Sequence, residues 1–210
     1  INDITSIIKD EKNDDNIRMC AKIELLFYQG SNNNFLFFQR ISYINGNPLL
    51  LSNEDRIREA EIFIKEYNNW NKAYLEVEKE AVDKNNFFNY YLSKLNKIRV
   101  YYELNFMSNF LINRTKELFI SNDIDKKNQF RELIKEVSDV CKFYKQIGHI
   151  ENLNSSLSLK YELLKYLNEE DEAKIIKNEI KINIEIYDLN EQKKRFENLI
   201  NGGTKNELFF

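Results

Sequence analysis

Proline and glycine are almost missing from this chain. Its 210 residues include one proline, Pro48, and five glycines, where average usage would bring roughly ten and fifteen. Both residues punctuate a chain, glycine by reaching left-handed backbone and proline by fixing φ. A many-stranded sandwich or barrel needs a turn about every 8–12 residues. So few turn formers exclude that class and predict an all-α fold of long helices joined by short polar loops.

Histidine is scarcer still: His149 stands alone, which rules out sites built on paired histidines. The two cysteines, Cys20 and Cys141, lie far apart and match no metal or redox spacing. They read as buried thiols in a reducing, cytoplasmic setting. No run approaches the ~20 apolar residues of a membrane span, so no membrane is expected. With 31 basic against 34 acidic side chains the net charge is −3, and no whole-chain basic footprint for nucleic acid exists. Aromatics are plentiful instead, with 15 Phe and 12 Tyr, and read mainly as core fillers. Asn, Ile and Lys stand so often for Gln, Leu and Arg that an AT-rich genome is expected. Because the chain opens on Ile1, it reads as a piece of a larger protein.

Helical periodicity organises what is there. Ile17, Cys20, Ala21, Ile23 and Phe27 share one face of a first segment over 14–30, which Gly30 and the following Ser31 and asparagines are expected to stop. The apolar run 34–45 reads as a buried helix. Ser52 predicts an N-cap, with Asp55 as its third-position partner. From there Ile57, Ala60, Ile64, Tyr67, Tyr74 and Ala81 form a seam to about residue 82, interrupted by Asn71 and Glu78. A second long helix over 85–119 carries Phe88, Tyr91, Leu92, Leu95, Ile98 and Tyr102 on one stripe, with a break expected near Asn113. The two long segments predict an antiparallel helical hairpin.

Shorter helices follow. Phe130, Leu133, Ile134, Val137, Val140, Cys141 and Tyr144 give the cleanest amphipathic pattern, over 126–147, closed by Gly148 as a left-handed C-terminal residue. A helix over 151–167 comes next, then one capped by Asn168 with Glu169, Glu170 and Asp171 at its positive end. Ile180, Ile182, Ile184 and Ile186 alternate with polar residues as a strand would. Ala173, Ile176, Ile180, Ile184 and Tyr187 also make a helical face, and a lone strand would have no partner, so helix is expected. Asp188 and Glu191 read as a capping box for a last helix ending at Gly202–Gly203. The chain thus divides into a helical region 1–122 with the long hairpin and a region 123–210 of stacked shorter helices.

The segment Tyr161–Tyr187 carries Leu164 in a first helix, a polar turn at 168–171 and the small Ala173 early in a second helix. It resembles a tetratricopeptide-type helical hairpin, a likeness extending over about 150–201. Tyr161 stands where that family prefers Gly or Ala, and no 34-residue period links the segment to the rest. The resemblance implies an α-solenoid stack with a concave surface that takes a peptide or another domain.

No constellation carries recognisable chemistry. A Cys141–His149 pair lacks an orienting third group, and His149 reads as a capping or surface residue. Glu103, Glu117, Glu132 and Glu136 could face one another, but a di-iron bundle needs Glu-x-x-His pairs. The Gly202–Lys205 stretch follows a helix where a phosphate loop must precede one. No cofactor and no metal is expected. The reading is a non-catalytic protein-interaction, sensing or scaffold module. It would bind a protein partner through Tyr161, Leu164, Tyr187, Phe209 and Phe210, with a homodimer built on the aromatic tail as one form. Two alternatives stand. One is a nucleic-acid-binding helical domain using Lys94, Lys97, Arg99, Tyr101 and Tyr102, where bases would stack on the tyrosines. The other is an enzyme whose carboxylate or tyrosine site assembles only in three dimensions.

Overall fold

The structure is a computed structural model, and it describes residues 2–42, 52–107 and 123–200. Among the described residues all regular structure is helical. The helices are α1 (Asn2–Lys9), α2 (Asp15–Ser42), α3 (Asn53–Asp83), α4 (Phe87–Met107), α5 (Asp123–Gln146), α6 (Ile150–Tyr166), α7 (Glu170–Tyr187) and α8 (Asn190–Ile200). The all-α expectation holds. Packing divides the chain into two units, 1–126 and 127–210.

In the first unit α2, α3 and α4 pack pairwise against one another, with α1 laid on α2. Lys84 reaches Asp15 at 3.2 Å and Trp70 donates to the Leu26 carbonyl at 2.6 Å, so α2 and α3 run antiparallel. Asn89 donates to the Asn16 carbonyl at 3.3 Å near the start of both helices, which makes α2 and α4 parallel. The core is Met19 and Ile23 of α2, Trp70, Tyr74, Val77 and Ala81 of α3, and Leu92 and Val100 of α4. Tyr74 and Ala81, placed on the seam by periodicity, are fully buried; Ile17, placed on the inner face of α2, is exposed. Ile23 of the expected face is buried, Cys20 and Phe27 pack against the same core, and Met19 completes it in place of Ile17.

Gly30 does not stop the helix. α2 continues through it to Ser42, because the glycine is buried under Trp70. A Cβ added there would lie 2.6 Å from Trp70 Cε2, closer than two carbon atoms can approach. Only the missing side chain lets the indole lie against the α2 backbone, so this glycine is a packing residue.

At the other end of α3, Ser52 is the N-cap, its Oγ accepting from the Asp55 N–H at 3.1 Å and donating to the Asp55 carboxylate at 2.7 Å. Glu78 interrupts the seam because it is paired. Its carboxylate meets Lys97 Nζ of α4 at 2.7 Å, with side chains only 12 % and 18 % exposed. A polar row on α4, Asn89, Ser93 and Asn96, is buried as well, and Asn96 hydrogen-bonds Glu24 of α2. The expected break near Asn113 and the Gly202–Gly203 stop lie outside the described residues.

A chain with so little glycine still has to end its helices. Four of the described helix ends, those of α3, α5, α6 and α7, are built alike, on Asn85, Gly148, Asn168 and Asp188, all with left-handed φ between 51° and 72°. Asparagine and aspartate tolerate that region better than other side chains because their short polar groups bond locally. In each turn the next residue donates back into the finished helix: Asn86 to Ala81 O, His149 to Tyr144 O, Glu169 to Leu164 O and Leu189 to Ile184 O, at 2.8–3.2 Å. That is the six-to-one bond of the Schellman motif. The same residue's carbonyl then accepts the first bond of the following helix, so one residue closes one helix and opens the next.

This geometry corrects two assignments. Asn168 is the terminating residue of α6, and Glu169 is the N-cap of α7. Asp188 likewise ends α7 rather than opening α8, and its carboxylate accepts from the Asn190 side chain. Asn and Asp side chains serve either role, and the local left-handed φ decides between them.

In the second unit, α5 meets α6 where the Phe130 and Tyr166 rings stack at 4.4 Å, and meets α7 through Lys145 and Glu179 at 3.0 Å. α6 and α7 form a close hairpin. They are joined by Asn183 donating to Asn154 at 2.8 Å and by Lys160 with Glu172 at 2.8 Å. α8 packs on α6 through Phe196 and Tyr161, with ring centroids 6.1 Å apart.

Candidate interaction surface

The hairpin of α6 and α7 sets the second unit's surface. Ala173, Ile176, Ile180 and Ile184 are buried at the three- and four-residue spacing of one helical face. The alternation over 180–186 is therefore a helix after all. Ile180 and Ile184 point inward, while Ile182 and Ile186 lie on the opposite side. Ile175 joins them, and the three are 65 % (Ile175), 54 % (Ile182) and 67 % (Ile186) exposed. At about 100° per residue they fall within a sector of about 40°, on the side of the helix turned away from the buried row. α7 is thus apolar on two faces, and only one of them is covered among the described residues.

The two edges of that outer row differ. On one, Glu172 and Glu179 are engaged by Lys160 and Lys145. On the other, Lys174, Asn178, Lys181 and Glu185 are exposed and enter no ion pair among the described residues.

The residues expected to contact a partner separate cleanly. Leu164 is fully buried and Tyr161 nearly so, against Phe196, so both are hairpin core. Tyr187 is half exposed at the end of α7. Phe209 and Phe210 lie outside the described residues. The outer isoleucines escaped notice because Ile182 and Ile186 were absorbed into the strand-like alternation. A second helical stripe at i, i+7 and i+11 was the available signal.

The basic and aromatic residues of α4 are not presented together. Lys97 is engaged by Glu78 and Tyr102 is buried. The Arg99 guanidinium lies 6.0 Å from the Phe27 ring centre, Lys94 Nζ 5.7 Å from that of Tyr90, and Tyr101 rests against Tyr67 with centroids 6.4 Å apart.

Chemistry is equally sparse among the described residues. His149 is the N-cap of α6, its Nδ1 accepting from the Asn152 N–H at 3.3 Å. Burial pushes the Cys141 thiol up to about 12, which keeps it protonated at neutral pH and a poor nucleophile. Burial also raises the Cys20 thiol and the Glu24 carboxyl. No group of three His, Cys, Asp or Glu side chains could hold a metal among the described residues, and no described helix is long and apolar enough to cross a membrane. No protein-family model, curated protein or solved structure matches this chain.

Proposed function

We propose that this chain is a non-catalytic helical interaction module that binds a protein partner, and that it works in the cytoplasm. The reading rests on one observation, the exposed row Ile175, Ile182 and Ile186 on a helix whose opposite face is already buried. Three large aliphatic side chains grouped on one ordered helix face are characteristic of association surfaces, because burying them removes apolar area from water. The two free cysteines fit a reducing compartment. A stack of helices in short-looped succession supplies the rigid frame on which such a face is held.

The test compares the chain with its Ile182→Glu variant as bait in host lysate, with and without nuclease. Ile182 is solvent-facing, so the variant keeps its helical circular dichroism. A protein captured in the presence of nuclease by the parent chain and lost with Ile182→Glu supports the reading. Identical capture by both, or capture abolished by nuclease, refutes it, the second outcome in favour of a nucleic-acid ligand.

A further inference from the structure

We infer that the outer face of α7 pairs with the same face of a second copy of this chain, antiparallel and about a two-fold axis that passes between the two helices at the level midway between Glu179 and Ile180. This rests on the interaction-module reading and names the occupant of its surface. Two features of the face are self-complementary under that operation, which returns each edge of α7 to the same edge of its partner copy and sets Glu179, already neutralised by Lys145, beside its own symmetry mate.

The first is the spacing of the apolar side chains. Ile182 and Ile186 leave a gap one helical turn wide, and the reversed helix brings the second copy's Ile175 to the level of that gap's midpoint. Each Ile175 is thus a knob between two isoleucines opposite, and the contact occurs twice by symmetry.

The second is charge. Reversal about that axis sets Lys174 level with the second copy's Glu185, and both lie on the edge that has no ion pair among the described residues. A parallel pairing would instead bring this edge against the opposite one, where Glu172 and Glu179 are already engaged by Lys160 and Lys145. On the same edge Asn178 comes level with Lys181 of the other copy.

One helix pair of this length, about 17 Å between Ile175 and Ile186, buries less area than a standard stable interface. The expected dimer is therefore reversible, half-formed at protein concentrations of about 10–300 µM. Sedimentation equilibrium on the purified full chain over that range tests it. The chain is expected to be in monomer–dimer exchange, and Ile182→Glu to be monomeric throughout. Lys174→Glu alone and Glu185→Lys alone each place like charges opposite in both symmetric contacts and should weaken the dimer about tenfold. The doubly reversed chain, Lys174→Glu with Glu185→Lys, should recover the parental constant.

A chain monomeric at every concentration overturns the inference. If it still captures a protein through Ile182, the interaction reading stands with another occupant; if it captures none, both fall. A dimer indifferent to Ile182→Glu, or one weakened additively by the double reversal, also overturns the proposed pairing.

Discussion

Replacing Gly30 by alanine tests the packing of the first unit most directly, because two opposing effects can be weighed. Alanine is the better helix former by about 1 kcal/mol, and α2 is helical through this position. If Gly30 were merely a weak point in a long helix, the substitution would stabilise the protein by that amount. The added methyl, however, would meet the Trp70 indole at 2.6 Å. Separating them to ordinary contact of about 3.7 Å moves the ring or the helix by about 1 Å. That movement stretches the hydrogen bond from Trp70 Nε1 to the Leu26 carbonyl, now 2.6 Å, and overpacking of this kind costs about 1–3 kcal/mol. Losing the hydrogen bond adds about 1 kcal/mol. The net expectation is a loss of about 1–3 kcal/mol. Urea unfolding followed by the fluorescence of the single tryptophan isolates the first unit. In a Trp70→Leu background, read by circular dichroism, Gly30→Ala should become neutral or stabilising. A Gly30→Ala chain more stable than the parent, with Trp70 present, would refute the packing argument.

Three further expectations follow from the same interior. Lys97→Met leaves the Glu78 carboxylate buried without its cation, and should cost the first unit about 3–5 kcal/mol, whereas Glu78→Leu with Lys97→Met together should cost far less; equal urea midpoints for the single and double variants would count against a buried pair. Burial raises Glu24 above the ordinary glutamate value in the folded state, so its contribution to stability is full below that value and is lost as pH rises through the folded one. Glu24→Gln should therefore gain in relative stability between about pH 4 and pH 7, and a pH-independent difference in urea midpoint would contradict it. At the left-handed position 168, Asn168→Ala should destabilise the second unit by about 1 kcal/mol and Asn168→Gly should not, as thermal unfolding by circular dichroism would reveal; equal losses would place the residue outside the left-handed region.

Much of the architecture was legible in the residues because it is local. The three- and four-residue spacing in Phe130–Tyr144 and Ala173–Ile184 needs no distant partner to be read, and neither does the Ser52 cap or the Gly148 terminator. Misreadings arose where one residue type serves two local purposes. Asn168 and Asp188 can cap the start of a helix through their side chains or end one through left-handed backbone, and composition does not distinguish these. The candidate surface was partly hidden for a related reason: alternation at 180, 182, 184 and 186 satisfies a strand and a two-faced helix equally.

What the chain determined by itself was the all-helical class and the main helical segments in the second unit, since each follows from short-range pattern. What only tertiary structure decided was the use of each face. Gly30 sits under an indole 40 positions away, Glu78 is neutralised by Lys97 on another helix, and α6 and α8 settle which side of α7 is covered. Burial is a property of neighbours brought together by folding, and a local pattern shows that a helix has two apolar faces without showing which one its own fold leaves open.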